Sequence, residues 1–138
     1  MERIIFHIDV NNAYLSWTAV KKLQEGEKLD IRTIPSVISG NEKDRHGIVL
    51  AKSPVAKKMG VVSAEPLGSA RRKCPNLQVF PPDFYWYYKE SNLMYEYLTQ
   101  FTPLIERYSI DECFLDLTGT NLLYKDYLLI KDKKKNAI

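Results

Sequence analysis

The sequence predicts an α+β fold: an antiparallel sheet covered by helices, with a small α/β unit inserted after its first strand. Three observations predict it. A β-rich run opens the chain, two further β-type runs meet at the adjacent carboxylates Asp111 and Glu112, and a long segment with helical apolar spacing precedes that meeting point. A length of 138 residues is enough to bury a sizeable core, and 45% hydrophobic content fits a globular chain. Twenty Lys and Arg against 17 Asp and Glu leave a net charge of +3, which permits an anionic partner without demanding one. Cys74 and Cys113 fit no zinc spacing, and no stretch resembles a secretory leader or a membrane span, so free thiols, a cytoplasmic location and no membrane partner are expected.

Residues 3–10 alternate, with Ile4, Phe6, Ile8 and Val10 on one face and Ile5, His7 and Asp9 on the other. Apolar residues on both faces predict a central strand. A carboxylate at the end of such a strand must be solvated, paired or bound to a cation, which makes Asp9 a candidate ligand. A helix cap is an equal alternative for it, because Asn11-Asn12 and the helical spacing of Tyr14, Trp17, Val20 and Lys21 follow. His7 is assigned to the core or the surface rather than to a metal, since no second histidine lies nearby.

Residues 24–28 make a polar turn, and residues 32–38 read as a strand that Pro35 confines to a sheet edge. The charged, glycine-bounded residues 40–47 read as the mobile tip of a hairpin leading into a strand at Ile48-Val49-Leu50-Ala51. Ser53 as cap and Pro54 in the first turn start a helix that stops at Gly60. Its N-terminus and Lys57 one turn on suit a phosphate, and an ordinary capped surface helix is the other reading. Residues 67–73 form a helix whose Arg71, Arg72 and Lys73 make a solvated face or touch a phosphate backbone. A short strand at residues 76–80 is closed by Pro81-Pro82, the boundary of the insert. From Asp83 a long helix places Phe84, Tyr87, Ser91, Met94, Leu98 and Phe101 in one row that packs on the sheet, with Trp86 and Tyr88 as packing residues off it. Residues 122–130 begin another sheet-covering helix, and the lysine-rich ending has no core-facing pattern.

Successive side chains of a strand point to opposite faces, so Asp111 and Glu112 converge only if the backbone turns there. A solvated turn and a cation site both accommodate such a pair. Mg²⁺ takes oxygen ligands and rests on one or two carboxylates plus substrate phosphates. Asp9 at a strand end and Asp111-Glu112 at a hairpin tip bring three acidic groups from separate segments to one sheet. In the two-metal scheme, cations about 3.5 to 4 Å apart activate an attacking oxygen and steady the leaving one. With Lys57 and a helix N-terminus to hold a triphosphate tail, the parts fit nucleotidyl transfer.

Ile8-Asp9-Val10 with Tyr14 five residues after the aspartate, and Ser109-Ile110-Asp111-Glu112 followed by Phe114-Leu115-Asp116, resemble the Y-family translesion DNA polymerases, the UmuC/DinB-like or ImpB/MucB/SamB group. Residues 53–61 resemble that family's fingers helix, and residues 70–77 also match, so the resemblance covers nearly all of residues 3–119. Ala51-Lys52-Ser53-Pro54 looks closer to the UmuC-like branch than to the DinB-like one. The resemblance implies a polymerase palm at residues 1–14 and 82–138, incomplete at its C-terminus, around fingers at residues 15–81. It implies that Asp9 and Asp111 bridge two Mg²⁺ ions, with Mn²⁺ as a substitute, that Glu112 binds the catalytic ion, and that the Val10 carbonyl binds the nucleotide-side ion. Tyr14 would be the steric gate against a 2′-hydroxyl. Lys57 falls where the family carries an arginine reaching the triphosphate, and Ile48 and Leu50 would roof the nascent base pair. Pro54 stands where the family often has a tyrosine on the triphosphate, so that contact passes to Ser53 or Lys52 or is lost, and Ala13 takes a usually aromatic position. The implied partners are primer-template DNA, an incoming dNTP and, through parts beyond this chain, a sliding clamp. The implied setting is DNA repair within the SOS response to DNA damage. A palm cut short and lacking thumb and little finger is expected to be feeble alone. Two other classes stay open: a nucleotide cyclase-like palm, against which the absence of Gly-Gly before Asp111 counts, and a non-catalytic truncated binding module.

Overall fold

The computed structural model describes residues 2–41, 43, 47–120 and 123. The described chain forms two compact units, one built from the stretch up to Val10 and from Tyr88 onward, the other from Asn11 to Tyr87. In chain order the elements are β1 (Ile5–Asp9), α1 (Ala13–Gln24), a 3-10 turn (Ile31–Thr33), β2 (Ser36–Ser39), β3 (Val49–Lys52), α2 (Pro54–Lys58), α3 (Leu67–Lys73), β4 (Gln78–Phe80), α4 (Phe84–Leu98), β5 (Ile105–Ser109) and β6 (Glu112–Asp116).

The first unit carries an antiparallel sheet in the order β1-β6-β5. Among the described residues its middle strand is β6, with β5 on one side and β1 on the other. In β1, Ile5, His7 and Asp9 lie on the exposed face and Phe6 and Ile8 are half-buried on the other. In β6, Cys113 and Leu115 are buried while Glu112, Phe114 and Asp116 alternate onto the more open face, the two-residue period of a half-buried strand. Arg107 on β5 pairs in register with Cys113 and donates to Ser91 Oγ at 3.0 Å and Asn92 Oδ1 at 2.9 Å, tying the strand to α4. Its guanidinium also lies 5.1 Å from the centre of the Tyr95 ring. Tyr87, Ser91, Met94 and Leu98 are the buried row of α4, as their spacing predicts, whereas Phe84 and Tyr88 are exposed. Tyr88 is therefore not a packing residue.

The second unit is organised around β2 in a sheet of order β3-β2-β4, antiparallel to β3 and parallel to β4. All four β2 residues are buried. Val37 packs with Val49, Ala56, Val61, Leu67, Ala70, Cys74 and Leu77, and Ile38 on the other face with Leu15, Ala19, Ile31 and Ala51. The proline-bearing run is thus the centre of this sheet and not an edge. Pro35 precedes the ladder, so its missing N–H removes nothing, and its carbonyl accepts from Gln78 N at 2.9 Å. Residues 42 and 44–46 of the expected hairpin tip and, apart from the exposed Leu123, the helix expected at residues 122–130 lie outside the described residues. Both cysteines are buried and free.

Helix α2 follows its sequence signals closely. Pro54 sits in the first turn, Ser53 Oγ accepts from Ala56 N at 3.1 Å, and Gly60 beyond the helix takes φ +92°, open to glycine at little cost. The Ser53 hydroxyl also donates to Ile34 O at 2.7 Å and accepts from Ser36 N at 3.1 Å, fully buried. Ser53→Ala removes a cap and leaves buried backbone partners unpaired. Urea denaturation of the variant should show a loss of about 2 to 3 kcal/mol in unfolding free energy.

Candidate metal centre

Register brings the predicted carboxylates together. Five consecutive pairs join β1 to β6, ending with Asp9 opposite Glu112, and Val10 N donates to Asp111 O at 2.9 Å one step further. On the other side of the hairpin, Arg107 pairs with Cys113 but Ser109 pairs with Glu112, so Tyr108 is the extra residue of a bulge. That bulge puts the Ser109 side chain over the carboxylates. Its Oγ lies 2.7 Å from Glu112 Oε2 and 3.0 Å from Asp111 Oδ1.

Among the described residues, His7, Asp9 and Glu112 form a group whose ligand atoms all lie within 4.8 Å of one another. Asp111 stands one hydrogen bond further out, through Ser109. Asp9 is not a helix cap: α1 starts at Ala13 behind Asn12, whose left-handed φ of 50° starts the helix without a side-chain cap and whose Nδ2 donates to Lys52 O at 2.8 Å. Partial desolvation and the negative charges of Asp111 and Glu112 push the Asp9 carboxyl above its ordinary range, with His7 opposing. Asp116, next along β6, is held below its range by hydrogen bonds from Thr118 and by Arg3. It belongs to a local turn and not to the cluster.

Sequence reasoning missed two members of this neighbourhood. His7 is at the surface, one of the two places expected for it, but its Nε2 lies 3.0 Å from Glu112 Oε1, a contact the sequence reading did not foresee. Its position two residues before Asp9 on one strand was the available signal. Ser109 was legible only as a turn residue, because the bulge that aims it breaks strand alternation.

The other predicted residues belong to the second unit. The half-buried Tyr14 ring stacks on Tyr87, with centroids 4.7 Å and planes 14° apart, and meets Phe84 edge-on at 5.8 Å. Tyr87 is fully buried, its hydroxyl 2.6 Å from Thr18 Oγ1. Ile48, just before β3, and Leu50 within it are exposed and alternate with the buried Val49 and Ala51, and Lys57 is exposed on α2. Ser53 does not fit the ligand contact expected of it, since its hydroxyl is committed to three backbone partners. Lys52 reaches Ser63 Oγ at 3.0 Å.

Three acidic side chains at one strand end, with an imidazole and a hydroxyl among them, make a donor set of hard oxygens suited to a divalent cation. Residues 8–135 match the profile of the impB/mucB/samB family. The chain is 62% identical over 119 residues to DNA polymerase IV of Clostridium acetobutylicum, covering 86% of this chain and 30% of that protein. It is 40% identical to DNA polymerase IV 1 of Bacillus subtilis, covering 86% and 27%, and 37% identical to DNA polymerase IV of Acetivibrio thermocellus, covering 100% and 33%. The crystal structure of DinB from Sulfolobus solfataricus superposes with a TM-score of 0.82 at 23% identity, over 96% of this chain and 37% of that one. The chain therefore spans about a third of the length of the relatives it matches. These relatives are named DNA polymerase IV.

A raised folded-state value means that ionising Asp9 costs stability. The contribution is intact while Asp9 is protonated and is lost as pH rises through its raised range. In metal-free buffer, Asp9→Asn should melt above the parent at neutral pH, with the gap closing on acidification. A gap that does not change with pH would show that Asp9 is not under this strain.

Proposed function

The chain belongs to the impB/mucB/samB family, and on that basis we propose that it is the palm and fingers portion of a Y-family DNA polymerase. The palm would be residues 1–14 and 82–138, and the fingers residues 15–81. The reaction is template-directed transfer of a nucleotide from a dNTP to a primer 3′-OH during translesion synthesis. The observation that carries this reading is the register of β1 on β6, which sets Asp9 against Glu112 beside the Asp111 turn.

Asp9, Asp111 and Glu112 are the proposed ligands, joined by the Val10 main-chain carbonyl, and two Mg²⁺ ions are the cations, with Mn²⁺ as a substitute. When bound, the ions supply Lewis-acid activation and charge neutralisation for in-line transfer. The protein's part is to hold oxygen donors in place before substrate arrives. Ser109 restrains both hairpin carboxylates, and the β1–β6 ladder fixes the third. Tyr14, braced against Tyr87, is the proposed gate that disfavours a ribose 2′-hydroxyl. Lys57 is the proposed triphosphate contact, and the exposed Ile48 and Leu50 the apolar cover of the new base pair. Primer-template DNA and a dNTP are the proposed partners, in the cytoplasm and in response to DNA damage, with a sliding clamp engaged by parts beyond this chain. No described helix is long and apolar enough to cross a membrane.

In the full-length parent polymerase, Asp111→Ala or Glu112→Ala removes several kcal/mol of transition-state stabilisation, so primer extension should fall roughly 100-fold or more. Extension at the parental rate would defeat the metal-site reading. Tyr14→Ala in the same protein should raise ribonucleotide incorporation relative to deoxynucleotide incorporation while leaving Mg²⁺ dependence intact. Single-nucleotide insertion with paired dNTP and rNTP measures the ratio.

A further inference from the structure

Beside the three proposed ligands, the open face of the first unit's sheet carries a row of rings. His7 lies flat on Phe114, with centroids 4.5 Å apart and planes 12° apart, and Phe114 meets Tyr108 edge-on at 5.7 Å. His7 and Phe114 are direct partners in the β1–β6 register, so the ladder itself sets the stack. From that seat Nε2 lies 3.0 Å from Glu112 Oε1, while Glu112 Oε2 takes the Ser109 hydroxyl at 2.7 Å. Both oxygens of one carboxylate are thereby engaged, which fixes its plane. Each oxygen has two lone-pair sites and keeps one for a cation.

We infer that His7 is a positioning residue for Glu112: seated on Phe114, its Nε2–H holds the carboxylate in the orientation in which it meets a divalent cation. The inference rests on the metal-site reading above and deepens it. A His7 ring nitrogen also lies within 4.8 Å of ligand oxygens of Asp9 and Glu112, close enough for the imidazole to be a ligand itself. Serving as one would require it to give up Glu112, and the stack on Phe114 holds it to that bond. A hydrogen bond that orients a metal ligand is worth about 10- to 100-fold in metal affinity.

His7→Phe keeps a flat ring on Phe114 and removes the nitrogen, whereas His7→Gln restores an N–H donor without the stack. The test is Mn²⁺ titration of the 138-residue chain, following the free ion by electron paramagnetic resonance, with thermal melts to verify that each variant folds. His7→Phe should bind Mn²⁺ about 10- to 100-fold more weakly, His7→Gln should recover most of the loss, and electron spin echo spectra of the parent should show no directly bound nitrogen. Parental affinity in His7→Phe overturns the positioning role. A ligated-imidazole nitrogen signal overturns it too and makes His7 a ligand. Asp9→Asn separates the two readings: if it loses Mn²⁺ while His7→Phe does not, only the His7 role fails. If Asp9→Asn binds as the parent does, or the parent binds no Mn²⁺, the metal site itself fails.

Discussion

The pairing of β1 with β6 is the constraint on which the rest of the carboxylate centre depends. Asp9 meets Glu112 because five consecutive residue pairs hold one register, and Val10 N extends that register to the Asp111 carbonyl. Side chains along a strand alternate, so a slip of one residue would turn His7 and Asp9 to the other face and bring Ile8 to the carboxylates. What opposes a slip is burial on the far side: Phe6 and Ile8 are half-buried there against Leu115 and Cys113, Val10 is buried, and each would be turned out. Acidic groups that repel one another are thus held in place by an apolar face they do not touch.

The hairpin adds a second restraint with an electrostatic consequence. The Tyr108 bulge sets Ser109 level with Glu112, where one hydroxyl lies within hydrogen-bond distance of two carboxylates. A serine hydroxyl has a single proton to donate, so it satisfies one anion fully or two in part. Partial desolvation pushes the Asp9 carboxyl up, and the neighbouring charges of Asp111 and Glu112, only partly offset by His7, add to that push. A divalent cation relieves the repulsion among these carboxylates more completely than a proton does, because it serves several oxygens at once.

Much of this was legible from residue order. Alternation gave β1 and β6, Ser53 and Pro54 gave the start of α2, and 3.6-residue spacing gave the buried row of α4. What escaped was set by partners remote in sequence. Pro35 looked like an edge marker, yet β2 is covered on both faces by residues drawn from four helices or turns and from β3, and no local pattern announces that. The bulge at Tyr108 escaped because an extra residue is visible only against the strand it faces. Asp9 as cap or ligand could not be separated locally. The left-handed Asn12, which opens α1 without help from Asp9, closes the first alternative. His7 was passed over for want of a second histidine, when the chemistry around it turned out to be carboxylate.

The two units divide the problem of folding this centre. His7 and Glu112 stand 105 residues apart, so the unit that bears the carboxylates is closed only when distant parts of the chain meet. The intervening unit is one continuous stretch, Asn11–Tyr87, with hydrophobic clusters of its own on both faces of β2. Loop-closure cost grows only with the logarithm of length, so a long insertion costs little more than a short one. If the insert is compact before β1 meets β6, the effective loop is shorter still, and the pairing depends less on chain entropy than on register. Assembly of the carboxylates is then a late consequence of folding, one that reports whether the two distant strands have met in the correct phase.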